Sequence, residues 1–298
     1  MDVGPFRLHE PLPPLQRPVM ALALQPWIDV GSVGTIVLSF LEESWPSRSL
    51  GELIRPGHFY DFTRYRPMLY RRGQRRVVTL PNTYIRYAQA PDGSHWILVH
   101  ALEPHCHGEE YVEGLATLME RLGVGTYCLV GSYYGPVPHT RPPLIVGTAG
   151  TAQALARLQA AGVRESRYEG PTTVLALMYQ HAEALGIETI SILVQVPAYA
   201  QLERDYRSAH AVLSVLSQVF GIPLPLDKMR EEGEKQYSEL DAQARRDPRM
   251  QRWIEELERI YEAEASLQEP EPPRLSPELE RFLEELERRW EGPQPPDR

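Results

Sequence analysis

Short apolar runs alternate with amphipathic segments through most of the chain. Runs rich in Val, Ile and Leu predict strands, and segments with apolar residues three or four apart predict helices. The predicted strands are 19–25, 95–101, 125–130, 144–146 and 190–196, and the predicted helices are 35–41, 109–122, 151–160, 171–185 and 205–220. Because strands that alternate with helices pair in parallel through right-handed crossovers, this order predicts a mostly parallel sheet flanked by helices.

Residues 68–100 follow a different pattern, in which β-branched and aromatic residues are interrupted by tight turns. Gly73 follows one such run, and Pro91-Asp92-Gly93 follows another. This spacing is typical of antiparallel strands joined by short turns. The predicted fold class is therefore α/β, with a mostly parallel sheet, an antiparallel section and a C-terminal helical extension.

The sequence after Leu226 has no strand signal and consists of polar helical segments. Asp247-Pro248 interrupts them, because proline cannot continue the helical hydrogen bonds. A proline-rich linker near 268–277 precedes a last helix that begins at Ser276. An apolar stripe on the middle helix contains Met250, Trp253, Ile254, Leu257, Ile260 and Tyr261. We therefore predict an α/β core domain over 1–226 and an acidic helical extension over 227–298, whose stripes lie against the core or another copy.

The charge is distributed unevenly between these two parts. The 298 residues include 31 basic and 40 acidic side chains, a net charge of -9. Residues 227–298 contribute 13 basic and 21 acidic side chains, so the core is nearly neutral. Because a nucleic-acid binder needs a surplus of positive charge, we expect no nucleic-acid partner. Both lysines, Lys228 and Lys235, lie in the extension, which argues against Schiff-base, P-loop and kinase chemistry in the core.

Cysteine content and hydropathy bear on the compartment. The two cysteines, Cys106 and Cys128, form neither a CxxC pair nor a disulfide framework, which fits a reducing cytoplasm. The apolar runs, such as 19–24, are too short to span a bilayer, and the N-terminal sequence has no apolar signal core. We therefore expect a cytoplasmic protein without a membrane partner.

Several loops follow predicted strands and contain polar side chains. Because the carboxyl ends of parallel strands lie along one edge of a sheet, loops after different strands converge there. A further loop, Arg167 to Pro171, opens a predicted helix. The residues placed around one cleft by this reasoning are Asp29, Gly31, Glu103, His105, His139, Arg141, Tyr168, Glu169 and Tyr199.

Arg141 lies in the run Pro138-His139-Thr140-Arg141-Pro142-Pro143, which proline restricts on both sides. A restricted arginine suits anion binding, because little side-chain and backbone entropy is lost. The alternative is a rigid loop in which Arg141 pairs with a carboxylate such as Glu103 or Glu169. For Gly31, the corresponding alternatives are a backbone anion site and a simple tight turn.

The histidines suggest a metal site only weakly. His95 and His100 point to opposite faces of a strand, which leaves His105-Cys106-His107 as the one compact set. This spacing is poor for a tetrahedral ion, so we predict no metal and no other cofactor. No serine lies in a G-x-S-x-G setting either, which argues against a serine hydrolase.

Six short motifs resemble, in their order, the proteasome assembly chaperone 2 family. They are PWIDVGSVG at 26–34, FYDF at 59–62 with Arg66-Pro67, Glu103-Pro104, PHTRP at 138–142, YEGP at 168–171 and Pro197-Ala198-Tyr199. The resemblance runs from about Met20 to Gly221 and on into the acidic helices. It implies a core similar to the phosphorylase/hydrolase-like fold of purine nucleoside phosphorylases, a tendency to oligomerise, and a chaperone or protein-binding role.

Two functional hypotheses follow. The first is a cytoplasmic, homo-oligomeric and non-catalytic module that binds proteasome subunits or another protein, with the helical extension mediating association. The second is a small-molecule enzyme of the nucleosidase or phosphorylase kind. In that enzyme Arg141 binds an anion, and Glu169 or Asp29 acts as general acid or base.

Overall fold

A computed structural model of the chain describes residues 1–266 and residue 281. Its strands are β1 (Asp2–Val3), β2 (Phe6–Leu8), β3 (Val19–Gln25), β4 (Ser47–Leu53), β5 (Met68–Arg72), β6 (Arg75–Thr79), β7 (Tyr84–Gln89), β8 (His95–Leu102), β9 (Thr126–Gly135), β10 (Ile145–Gly147), β11 (Arg164–Glu165) and β12 (Glu188–Pro197). Ten strands form one sheet in the order β1-β2-β4-β7-β8-β3-β9-β12-β10-β11. The other two, β5 and β6, form a separate sheet.

Helices cover both faces of the large sheet. The helices of the described residues are α1 (Val33–Ser44), α2 (Gly108–Arg121), α3 (Ala152–Ala160), α4 (Ala176–Ala184), α5 (Tyr206–Phe220), α6 (Asp227–Ala244) and α7 (Pro248–Ser266). Buried side chains of α1, α3 and α5 pack on one face, and those of α2 and α4 pack on the other. The predicted α/β class with flanking helices is confirmed.

The centre of the sheet consists of the parallel strands β8, β3, β9 and β12. In β3, Ala21 and Ala23 face the layer that contains α1 and α5, whereas Met20, Leu22 and Leu24 face the layer that contains α2. Both sets are buried because helices cover both faces, which explains why this strand is a continuous apolar run. The four parallel strands end along the same edge of the sheet.

The antiparallel section differs in detail from the predicted succession of strands. β7 pairs with β8, and β4 pairs with β7, in antiparallel fashion. The hairpin of β5 and β6 does not join them and forms a sheet of its own, in which nearly all side chains are exposed. Strands β1, β2 and β4, which lengthen the antiparallel side, were not predicted from the sequence.

One predicted helix begins later than expected. The segment 171–185 becomes helical only at Ala176, where α4 begins. Upstream, the backbone N–H of Val174 donates to the carboxylate of Glu103, 3.0 Å away. This contact with another loop replaces helical bonding at that point. The predicted last helix from Ser276 and the linker near 268–277 lie outside the described residues.

The described helices of the extension lie on the core of their own chain. α6 ends at Ala244 and α7 begins at Pro248, as the Asp247-Pro248 break predicted. Met229 of α6 joins the large apolar core, and Ile254 and Leu257 of α7 pack around Tyr199. The domain boundary at residue 226 stays a prediction. In the described part of the chain, no helix combines the length and apolar character that crossing a membrane requires.

Candidate functional site

The loops predicted to form a cleft do follow the parallel strands at one edge of the sheet. Asp29 and Gly31 follow β3, Glu103 follows β8, and His139 lies in the loop after β9. Tyr199 follows β12. Their hydrogen bonds nevertheless divide these residues into separate groups, each of which holds a different part of the rim together.

Asp29 caps the start of α1. Its carboxylate accepts the backbone N–H of Thr35 at 3.1 Å and the hydroxyl of Thr35 at 2.6 Å. The side chain is 9% exposed, and burial raises its pKa from 3.8 to about 6, although the bonds from Thr35 oppose this rise. Asp29 therefore serves as a helix cap and has a perturbed pKa.

Gly31 lies where the first loop approaches the start of α5. Its φ is +59°, and a Cβ atom there would lie 2.9 Å from the Cβ of Asp205. The Gly31 carbonyl accepts the backbone N–H of Asp205 at 2.8 Å. A tight turn with close packing therefore accounts for this glycine.

Glu103 and His105 form a second group with the segment after the β4 strand. The carboxylate of Glu103 receives the Val174 N–H, and burial raises its pKa. Nδ1 of His105 accepts the backbone N–H of Asp61 at 3.2 Å, and the ring lies 4.5 Å from that of Tyr65. Burial lowers the pKa of His105, which keeps Nδ1 available as an acceptor.

His139 and Tyr199 form the third group, which is deeply buried. The Tyr199 oxygen accepts the backbone N–H of His139 at 2.7 Å and lies 2.7 Å from Nδ1 of the same residue. Which of the two atoms donates in this second contact depends on the tautomer of the ring. Burial lowers the pKa of His139, with Arg207 adding to this effect, so the neutral ring is favoured.

Arg141 pairs with the helical extension. Its guanidinium contacts the carboxylates of Glu258, at 2.9 Å, and Glu262, both on α7. The Thr140 hydroxyl also bonds to Glu258. Arg141 therefore pairs with carboxylates, as the rigid-loop alternative has it, but α7 supplies them in place of Glu103 or Glu169.

Tyr168 and Glu169 lie apart from these groups. Both are exposed in the loop before α4, and the Tyr168 hydroxyl donates to the carbonyl of Pro171 at 2.9 Å. No hydrogen bond or ion pair joins either residue to Asp29, His139 or Arg141 among the described residues. The YEGP motif therefore shapes its own loop.

Three residues that the sequence did not mark as functional connect the third group to the first loop. Asp205 accepts two bonds from Ser208 and one from the Tyr237 hydroxyl, at 2.8 Å. Arg207 lies over the Tyr237 ring and donates to the carbonyl oxygen of His139 at 2.7 Å. The sequence signal for Asp205 was only its position before a helix, and Tyr237 has no local signal.

A groove of about 570 Å³ lies between the His139 loop, α5 and α6. Its charged lining includes Arg207 of α5 and, along α6 and its C-terminal end, Arg230, Glu234, Asp241 and Arg245. Nε2 of His139 is buried at this groove without a hydrogen-bond partner, and the nearest Asp241 oxygen is 3.6 Å away. That separation is beyond hydrogen-bond length.

The histidine cluster at the other end of the rim differs from the expected one. His107 lies with His58 and Glu110, not with His105 and Cys106. The two rings stack at 3.9 Å with an interplanar angle of 11°. Since an imidazole nitrogen binds a metal within the plane of its ring, two stacked parallel rings do not direct their lone pairs at one ion. This arrangement therefore does not favour a shared metal.

The parallel centre, the rim loops and the covering helices define an α/β protein whose C-terminal helices lie on its own strand ends. The chain belongs to the PAC2 family, whose model matches residues 23–244. The family resemblance identified from the motifs is therefore confirmed. None of the curated proteins matches the chain.

Solved structures of similar fold come from bacteria and archaea. A Corynebacterium glutamicum protein of unknown function has a TM-score of 0.78 and 19% identity, with 89% of this chain and 99% of that chain covered. A proteasome-assembly chaperone homologue of Mycobacterium tuberculosis has a TM-score of 0.71 and 23% identity, covering 79% and 99%. PbaB of Pyrococcus furiosus, an archaeal proteasome activator, has a TM-score of 0.62 and 18% identity, covering 80% and 97%. At these identities the similarity concerns the fold.

Replacing Tyr199 by phenylalanine tests the third group. The substitution Tyr199→Phe leaves the buried N–H of His139 without its acceptor, so we expect a loss of roughly 1–3 kcal/mol in unfolding free energy. Urea unfolding followed by circular dichroism measures it. Tyr168→Phe, at a side chain that is 70% exposed, is the matched control and should change stability little. Equal effects of the two substitutions would contradict the assigned role of Tyr199.

The raised pKa of Asp29 predicts a pH dependence of stability. Because the folded state holds this proton more tightly than the unfolded state, the stabilisation is complete below about pH 4 and is lost as the pH rises through about 6. Relative to Asp29→Asn, which does not titrate, the wild type should lose on the order of 2 kcal/mol between pH 4 and pH 7.

Urea titrations at several pH values measure this difference. Asp92→Asn is the control, since Asp92 lies on an exposed turn where bonds from Ser94 lower its pKa. Its difference from the wild type should not fall as the pH rises. A pH-independent difference between wild type and Asp29→Asn would show that the carboxyl has an ordinary pKa.

Proposed function

We propose that this chain is a cytoplasmic, chaperone-like protein-binding module that self-associates and catalyses no reaction. Membership of the PAC2 family supports a chaperone-like role at the level of the family. The observation that carries the proposal is that the polar side chains of the rim are engaged in bonds within the chain. His139, Arg141 and Tyr199, which lie in family-like motifs, bond to other parts of the chain and hold the extension in place.

Proteasome subunits are the partner that we propose. Two proteins of similar fold are described as a proteasome-assembly chaperone homologue and a proteasome activator. A scaffold that presents a rigid surface suits such a role, because little order must be gained on binding. The rim of this chain is rigid in that sense, since buried hydrogen bonds and ion pairs fix its loops.

The enzyme alternative requires Arg141, Asp29 and Glu169 to be available to a substrate, and their surroundings in the structure do not fit that role. Arg141 would have to bind an anion, but two α7 carboxylates contact it. Asp29 is engaged by Thr35, and Glu169 is exposed on a separate loop. The groove beside His139 has a volume common for ligand sites, yet Arg230 and Arg245 pair with carboxylates of α6, and Arg207 donates to backbone carbonyls. We therefore favour the protein-binding role.

Binding to purified proteasome subunits tests the proposal. We expect the full chain to bind α or β subunits from its own organism with a dissociation constant of about 1 μM or lower by isothermal calorimetry. An unrelated α/β protein of similar negative charge is the control. A parallel thermal-shift and turnover assay with nucleosides and phosphate addresses the alternative. No binding to the subunits, together with turnover of a nucleoside, would overturn the proposal.

A further inference from the structure

The hairpin of β5 and β6 projects from the core as a separate two-stranded sheet. Its strands, Met68–Arg72 and Arg75–Thr79, pair only with each other. Every side chain in them is exposed except that of Val77, which is half-buried. An isolated two-stranded hairpin is marginally stable in water, so this element needs a surface to cover it. We call residues 68–79 the arginine arm.

The base of the arginine arm is apolar. Leu69 and Val78 lie opposite each other in the register, and each is 59% exposed. Met68 and Tyr70 on the adjoining positions are 53% and 49% exposed. Large apolar side chains concentrated on one small element mark an interaction surface, because scattered single residues are the normal pattern elsewhere.

The tip of the arginine arm is strongly basic. Arg71 lies opposite Arg76, and Arg72 lies opposite Arg75. Like charges directly across a strand pair are destabilising, and no ion pair offsets them among the described residues. Residues 62–91 as a whole contain seven arginines and no acidic residue. The arm therefore requires a partner that brings negative charge.

A second copy of this chain has the required chemistry. Outside 62–91 the chain has 24 basic and 40 acidic residues, a net charge of -16. Exposed glutamates on the outer face of α2, for example, provide a carboxylate surface, and they are Glu109, Glu110, Glu113 and Glu120. Because the hairpin is only marginally stable by itself, it needs a partner that is present wherever the chain is made. A second copy of the same chain meets that requirement.

The composition of the arm favours a protein over a nucleic acid. Arginine, tyrosine and methionine are enriched in protein interfaces, and the arm contains all three. A polyanion would neutralise the tip but would leave Leu69 and Val78 in water. Two arms do not pair with each other, since their arginines repel.

We propose that the arginine arm binds an acidic surface of a second copy of this chain, and that this contact holds the assembly together. In a symmetric pair, each arm lies on the other copy, which doubles the contact. The inference rests on the self-association part of the proposed function and locates its surface.

Sedimentation velocity of the full chain over a range of concentrations tests this inference. We expect the wild type to form an assembly that weakens at high salt, because the contact is partly ionic. Arg72→Glu/Arg75→Glu should raise the dissociation constant of self-association at least about tenfold, since like charges then face each other across the contact. Leu69→Ser/Val78→Ser should weaken it similarly.

The matched control is Arg249→Glu/Arg252→Glu, which makes the same change in charge on exposed positions of α7. This variant should assemble as the wild type does. Circular dichroism checks that all variants are folded, which we expect because the arm is a sheet of its own.

Three results would overturn the inference. If the wild type stays a single chain at every concentration, self-association is refuted. Binding to proteasome subunits is measured separately, so this result leaves that part of the proposed function untouched. If the wild type assembles and the arm variants assemble equally well, the chain self-associates through another surface, and the role of the arm is refuted. A single chain that binds a duplex oligonucleotide through Arg72 and Arg75 assigns the arm to a polyanion instead.

Discussion

The carboxylate of Asp205 is fully buried and receives three hydrogen bonds, two from Ser208 and one from Tyr237. Burial raises its pKa, and these bonds oppose the rise, because each favours the charged form. The backbone N–H of the same residue donates to Gly31. One residue thus joins the loop after β3, the start of α5 and the middle of α6. Arg207, two residues further on, lies over the Tyr237 ring and donates to the carbonyl oxygen of His139, which connects this point to the PHTRP loop.

Several acidic side chains of the C-terminal region lie against the core. Glu258 and Glu262 contact Arg141, and Asp241 lies near the ring of His139. These carboxylates face the loop that contains PHTRP, so part of the negative charge of the extension is matched by a loop of the core. The described acidic helices therefore cover a family motif of their own chain, and apolar packing around Tyr199 reinforces the contact.

Periodicity was enough to predict the parallel centre, because strands such as β3 and β12 are buried on both faces and contain runs of apolar residues. It missed β4, whose sequence SRSLGEL is half polar and pairs at the antiparallel side. Topology also placed the loops after β3, β8, β9 and β12 at one edge of the sheet, although the loop of Tyr168 and Glu169 lies apart from their groups. It could not predict their partners, since Arg141 pairs with Glu258, which is 117 residues away on a helix with many carboxylates. Likewise, nothing local to Tyr237 indicates that it reaches Asp205.

The double-mutant cycle of Asp205→Asn and Tyr237→Phe tests the central role of Asp205 most directly. If the buried carboxylate joins α5 and α6 through this bond, the two substitutions should be non-additive by roughly 1 kcal/mol in unfolding free energy. Urea unfolding of the wild type, both single variants and the double variant measures the coupling. Additivity within about 0.3 kcal/mol would show that the two side chains contribute independently, which would contradict the account.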